Sequence, residues 1–259
     1  MAYTTLLVEE ADGVVSITLN RPEVHNAFNE ELIAEAIDVF RGVGSRGARA
    51  VVLRGSGPNF CAGADLHWMS KMVRYSRDEN VRDASNMARM YASINECPLP
   101  VIGRIQGAAL GGGVGLVAVC DIAICAPDAK FGLTEVKLGI LPAVISPYMI
   151  AKIGQSHARA LFMTGERFDA ERALRIGLVH RVADDLDAAV NETVAQLKTS
   201  GPQAVRECKK LIAHVATHDP IDAIPYTIET ISTRRVSDEG QAGMNAFLKK
   251  EKPPWTSRN

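Results

Sequence analysis

The segment Gly107-Ala-Ala-Leu-Gly-Gly-Gly-Val-Gly115, set between the apolar runs Pro100–Ile105 and Leu116–Cys125, constrains this chain more than any other. An apolar strand that turns through glycines into a helix leaves the first helical amides unpaired, and adjacent glycines remove the side chains that would shield them. Such a turn either receives an anion or oxyanion, or lets a helix pack closely on a sheet. Phosphate-loop chemistry is excluded, because Gly113 stands where G-x-x-x-x-G-K-[ST] needs lysine after Gly107 and Gly112. The dinucleotide pattern G-x-G-x-x-G also fails, since Leu116 takes its last position. What remains for a ligand is a small developing charge, such as a thioester oxygen becoming an enolate.

A second turn repeats the pattern. Asn59-Phe-Cys-Ala-Gly-Ala-Asp-Leu66 passes through small residues to Asp65, placed to cap a helix through Trp68, Met69 and Met72. If the two turns lie side by side, the amides of Ala64 and Gly112 can point at one oxygen, the two-donor arrangement of an oxyanion hole. A third segment, Phe131-Gly-Leu-Thr-Glu-Val-Lys-Leu-Gly-Ile-Leu-Pro142, carries Glu135 among apolar neighbours. A carboxyl in such surroundings resists ionisation, as a general acid or base near neutral pH must. The alternative is an ion pair with Lys137 or an arginine.

The rest of the chain reads as α/β. Gly13–Leu19 alternates as a strand. Asn29 caps a helix whose Leu32, Ala36, Phe40 and Val43 share one face, and Ala50–Leu53, Val101–Ile105 and Asp121–Cys125 are further strands. Residues Tyr75–Ala92 suit an exposed helix, and strands alternating with helices predict parallel pairing. From Ser156 onward the pattern is helical, with Asp169 capping Ala170–Ile176, Gly177 closing it and another helix over Leu186–Leu197. Gly201-Pro202 marks a boundary between a core, residues 1–200, and a helical region, 201–259. The later helices are too short of chain to form a core alone, so they pack on the body or on another subunit.

At 259 residues and 47% hydrophobic, the chain can bury one large core. A net charge of -1 gives no field that draws it to nucleic acid or an anionic membrane, and no apolar run reaches membrane-spanning length. The N-terminal residues lack a signal-peptide pattern, and five cysteines in mostly apolar company suit reduced thiols, so a cytoplasmic location is expected. His214 and His218 lie four apart without a third ligand, so no metal site is expected. Trp68, Met69 and Met72 line either the core or a pocket.

Taken together, the motifs resemble the crotonase family, the enoyl-CoA hydratase/isomerase superfamily. The likeness rests on Asn20-Arg-Pro-Glu-Val-His-Asn-Ala-Phe28, Phe60-Cys-Ala-Gly-Ala-Asp-Leu66, the Gly107 segment, Cys120-Asp-Ile-Ala123, the Glu135 segment and Ala246-Phe-Leu-Lys-Lys250. The resemblance implies a crotonase-like spiral of β-β-α units with a C-terminal helical trimerisation region, assembled as a trimer or a hexamer. It implies that Ala64 and Gly112 hold the acyl-CoA thioester oxygen, that Ala62 meets the adenine, and that Phe247 and Lys250 of a neighbouring subunit close over the nucleotide. His25 is a candidate for the CoA phosphates, and Glu135 matches the family's acid/base glutamate. Trp68, Met72, Gly115 and Ile145 are the expected acyl-pocket residues. The substrate is itself the coenzyme A thioester, and no separate cofactor is implied.

Two departures bear on the substrate. The second glutamate of many hydratases in this family is here Gly115, and Pro142-Ala-Val-Ile-Ser-Pro-Tyr148 replaces a glycine-rich stretch. This combination is similar to a bacterial branch acting as methylglutaconyl-CoA or isohexenylglutaconyl-CoA hydratase. The expected activity is therefore hydration of a branched glutaconyl-type enoyl-CoA, with the space vacated at Gly115 admitting the acyl chain. A double-bond isomerase using Glu135 alone is the alternative. A non-catalytic acyl-CoA- or RNA-binding scaffold is the alternative of another class.

Overall fold

A computed structural model describes residues 3–45 and 47–256, so the outer ends of both expected regions lie outside the described residues. In chain order the elements are β1 (Leu6–Ala11), β2 (Val14–Leu19), α1 (Glu30–Gly42), β3 (Ala50–Gly55), α2 (Leu66–Met72), α3 (Arg77–Asn95), β4 (Val101–Ile105), β5 (Ala108–Leu110), α4 (Gly112–Ala118), β6 (Ile122–Cys125) and β7 (Lys130–Gly132). After these come α5 (Ser146–Thr164), β8 (Arg167–Asp169), α6 (Ala170–Arg175), β9 (Arg181–Val182), α7 (Leu186–Thr199), α8 (Pro202–Val215), α9 (Pro220–Val236) and α10 (Asp238–Lys249).

The main sheet runs β1-β2-β3-β4-β6-β9, and every pair in it is parallel except the β1·β2 hairpin. The sequence pattern found β2 but not β1, whose outward face is polar; Asp12 and Gly13, both at positive φ, make the tight turn between them. A smaller sheet, β5-β7-β8, stands beside the first. Its three-residue strands are too short to show a period, so the sequence did not reveal them.

Alternation along the central strands feeds two cores. Val51 and Leu53 of β3 join the large cluster under α1, α3 and α4, while Ala50 and Val52 face α7 through Leu186, Ala189, Val190 and Val194. The anticipated caps are present, with Asn29, Asp65 and Asp169 each accepting from the first turn of the following helix. Helix α5 begins at Ser146, earlier than the pattern suggested, and breaks at Gly154 (φ 73°, ψ 161°). Helices α8–α10 bury little, with Ala223 and Ala246 fully covered. They are tied back by Lys209 to Asp121 (2.8 Å) and by the Trp255 indole to the Thr199 carbonyl (2.9 Å). Among the described residues no helix is long and apolar enough to cross a membrane.

Candidate active site

The two small-residue turns lie side by side. The loop after β3 runs parallel to β5, with Cys61 N donating to Ala108 O and Leu110 N to Cys61 O, both at 3.0 Å. Gly63, at φ +93°, allows the close approach: a Cβ there would stand 2.7 Å from Leu110 O and 3.7 Å from Gly112 N. Phe28 N donates to Gly63 O and Asp65 N to Phe28 O, so the intervening Ala64 N–H faces away from Phe28. Among the described residues neither the Ala64 nor the Gly112 amide donates a hydrogen bond within the chain, and both residues line one cavity. Two free donors at adjoining turns are what an oxyanion requires.

Asp65 fixes the first turn. Its Oδ1 accepts from His67 N (2.7 Å) and Trp68 N (3.1 Å), and Oδ2 pairs with Arg21 at 2.8 Å. Burial pushes its pKa up, but the Trp68 and His67 amides and the Arg21 guanidinium together hold it below the usual carboxylate range.

Glu135 stands at the start of the one-turn helix Thr134–Leu138 that follows β7. Its carboxyl lies against Gly111, where a Cβ would come 3.4 Å from Oε1, and the Gly111 amide is anchored to Gly132 O at 2.8 Å. Oε2 is buried with no hydrogen-bond partner, and burial raises the pKa of the group. No cation pairs with it among the described residues. The ion-pair alternative does not occur because the Lys137 side chain lies towards Gly165. An unpaired, desolvated carboxyl beside two free amides can carry a proton to or from a carbon whose neighbouring carbonyl becomes an enolate.

These groups open on a cavity of about 300 Å³. Ala62, Ala64, Trp68, Met72, Gly112, Glu135 and Ile145 all line it, so most of the expected residues converge. Trp68 is both core and wall, being 1% exposed. Gly115 is a correction. It does not line the cavity; the space expected there is filled by Ile145, whose Cγ2 a Cβ would strike, and by the Tyr91 ring, 2.9 Å from that Cβ. His25, Phe247 and Lys250 lie outside the lining of this chain. His25 is exposed, with Nδ1 2.9 Å from Asn59 Nδ2, and its carbonyl accepts from Ala62 N. Phe247 is 82% exposed at the end of α10, where Lys250 forms the left-handed cap.

Two residues that sequence reasoning missed belong to the site. Asp83 lines the cavity from α3, four residues before Met87 on the helix's inward stripe; a carboxylate at an inward position was the available signal. Tyr91, buried on the same stripe, donates from its hydroxyl to Gly112 O at 2.8 Å and so orients the turn that presents the Gly112 amide. Removing only that hydroxyl, Tyr91→Phe, is expected to lower stability by about 1 kcal/mol. The corresponding fall in Tm is roughly 2–4 °C, and kcat should fall more than KM rises. Thermal unfolding and steady-state kinetics check it; an unaltered kcat would remove Tyr91 from the site.

Comparison with known proteins gives the family. The family model described as enoyl-CoA hydratase/isomerase matches residues 9–258. The crystal structure of an enoyl-CoA hydratase from Shewanella pealeana is 40% identical with a TM-score of 0.95, covering 98% of this chain and 96% of that one. An enoyl-CoA hydratase/isomerase from Marinobacter aquaeolei is 34% identical with a TM-score of 0.92, covering 98% and 99%. Among sequences, the mitochondrial Delta(3,5)-Delta(2,4)-dienoyl-CoA isomerase of Dictyostelium discoideum is 30% identical over 97% of this chain and 91% of its own length. The fold is that of a crotonase, and the chain belongs to the enoyl-CoA hydratase/isomerase family of enzymes.

Proposed function

We propose that this enzyme adds water across a 2-enoyl-CoA thioester, with Glu135 as its acid and base. The observation that carries this reading is the buried, unpaired Glu135 carboxyl against Gly111, beside the free amides of Ala64 and Gly112. In the proposed cycle the thioester oxygen accepts hydrogen bonds from Ala64 and Gly112. The Glu135 carboxylate takes a proton from water as its oxygen bonds to C3, and charge moves onto the thioester oxygen. Glu135 then returns that proton to C2, and the net change is one water added. The coenzyme A thioester is the substrate, and the scheme needs no resident cofactor. A non-catalytic scaffold would have no use for a desolvated carboxyl with no partner.

For the acyl group we propose a branched glutaconyl chain such as 3-methylglutaconyl, on the resemblance of the Gly115 and Pro142–Tyr148 segments to that branch. One specific observation favours a second reading, double-bond isomerisation: with glycine at 115 and its space filled, Glu135 has no second glutamate from that position to share the activation of water. A single carboxyl moving a proton between two carbons suffices for that reaction. Turnover in ¹⁸O-labelled water separates the two. Label in a 3-hydroxyacyl product is expected; a shifted double bond without label would overturn hydration.

We also propose that the chain self-associates as a trimer or hexamer through the C-terminal helices. Ile212, Ile221, Ile224, Ile228 and Ile231 are exposed there by 48–79%, a run of apolar surface that a monomer would leave in water. Sedimentation velocity tests this, and a monomer at micromolar concentration would overturn it. A cytoplasmic location accords with four buried free cysteines.

A further inference from the structure

The Ala64 and Gly112 amides reach the site on two different segments, and one side chain that does not line the cavity ties those segments together. Between β3 and α2 the described residues form neither helix nor strand, so hydrogen bonds from elsewhere must set the path that carries Ala64. Gln106, on the link between β4 and β5, supplies three of them. Its Nε2 donates to Gly55 O at 2.7 Å and to Gly57 O at 3.1 Å, and its main-chain oxygen accepts from Phe60 N at 2.8 Å. The other arm of the carboxamide is fixed as well. Oε1 accepts from Arg104 Nη1 at 3.2 Å, and Arg104 grips both Asp187 oxygens on α7, at 2.7 and 3.0 Å. With carbonyls on one arm and a guanidinium on the other, the carboxamide has a single orientation.

On the same loop Asn26, fully buried, donates from Nδ2 to Ser56 O and Asn59 O, both at 2.8 Å, so two carboxamides hold the carbonyls of Gly55, Ser56, Gly57 and Asn59. They differ in what they anchor. Asn26 belongs to the segment before α1, whereas Gln106 belongs to the chain that runs on through β5 to Gly112. Asn59 Oδ1 adds a tie in the other direction, accepting from Ala108 N at 2.9 Å. The two segments lie close: at Gly107, φ +57°, a Cβ would strike Pro58 O. An oxyanion hole works only while both donors stay within hydrogen-bonding reach of one oxygen, so the offset between these segments decides its strength. We infer that Gln106 is a positioning residue: by fixing the Ala64 loop to the β4–β5 link, its side chain sets the spacing of the Ala64 and Gly112 amides. The inference rests on the oxyanion reading above, and it holds for hydration and isomerisation alike.

Infrared difference spectra of isovaleryl-CoA with a ¹³C-labelled thioester carbonyl read that spacing without turnover, because the saturated ester has no double bond to hydrate or shift. Bound to the wild type, the carbonyl stretch is expected to move to lower wavenumber as two amides draw on its oxygen. Gln106→Met keeps the reach of the side chain and Gln106→Glu keeps its shape, but neither a thioether nor a carboxylate can donate to Gly55 O and Gly57 O. Each variant should lose about half of the shift, as one of two donors moves out of line. In steady-state turnover kcat should fall about 10- to 100-fold, with KM within about threefold, because the loss falls mainly on the transition state. A full shift or an undiminished kcat in the folded variants would overturn the inference, and a lower Tm alone would make Gln106 structural only. If Gln106→Glu does not fold, the uncharged Gln106→Met decides the matter. A wild type that leaves the stretch where the free ester has it would instead refute the oxyanion reading, and this inference with it.

Discussion

Glu135→Gln is expected to reduce kcat by about 10³-fold or more, the upper part of the range for a positioned acid/base, while binding of a saturated acyl-CoA changes less than about threefold. Gln keeps the shape and the packing against Gly111 but cannot take a proton. The same substitution should stabilise the fold at neutral pH. Burial raises the folded-state pKa of Glu135 above its unfolded value, so the folded protein holds that proton more tightly. Its ionised form therefore opposes folding above the folded pKa, and this opposition vanishes below the unfolded pKa. Tm of the variant should exceed that of the wild type at pH 7 and match it once the pH falls below the ordinary glutamate range. Because the carboxylate starts the cycle, activity should rise with pH through the raised pKa, putting the acid limb above that of an ordinary glutamate. Unchanged turnover in Glu135→Gln would remove the mechanism.

That opposition between activity and stability explains which parts of the site could be read from sequence. Glu135 stood out because a charged residue interrupts an apolar run, and the structure leaves it desolvated and unpaired for the same reason. The oxyanion donors were legible as glycine-rich turns, since only small residues allow Gly63 to lie against Leu110 O and Gly112. The caps at Asn29, Asp65 and Asp169 follow from local hydrogen bonding and were equally readable. What sequence could not supply was contact across distance. Tyr91 meets Gly112 from 21 residues away, and nothing in the neighbourhood of either residue announces it. The short sheet β5-β7-β8 is held by pairings between strands too brief to have a pattern of their own. Gly115 misled for a related reason: its missing side chain implied open space, but packing density is set by neighbours, and Ile145 had taken the room.

Gly115→Glu, which writes the absent second glutamate back into the sequence, is accordingly expected to destroy the enzyme rather than improve it. Gly115 is buried in α4, and its first added carbon would already strike Ile145 Cγ2 and come 2.9 Å from the Tyr91 ring. Tyr91 is held by its bond to Gly112 O, and Ile145, 3% exposed, can yield only by moving into the acyl cavity. Overpacking of this kind costs about 1–3 kcal/mol, and a buried charge without a partner adds several more. A loss of at least about 3 kcal/mol should lower Tm by roughly 6–12 °C, with turnover falling as the pocket is invaded. Gly115→Ala should already show part of the steric loss without the charge. The compensating change is Ile145→Ala. In the double variant the glutamate has room on the cavity side, and Tm should recover towards the wild type. Differential scanning calorimetry on the four proteins checks the cycle. If Gly115→Glu unfolds at the wild-type temperature, Ile145 and Tyr91 do not occupy that space in solution, and the pocket this chain offers its acyl group is a different one.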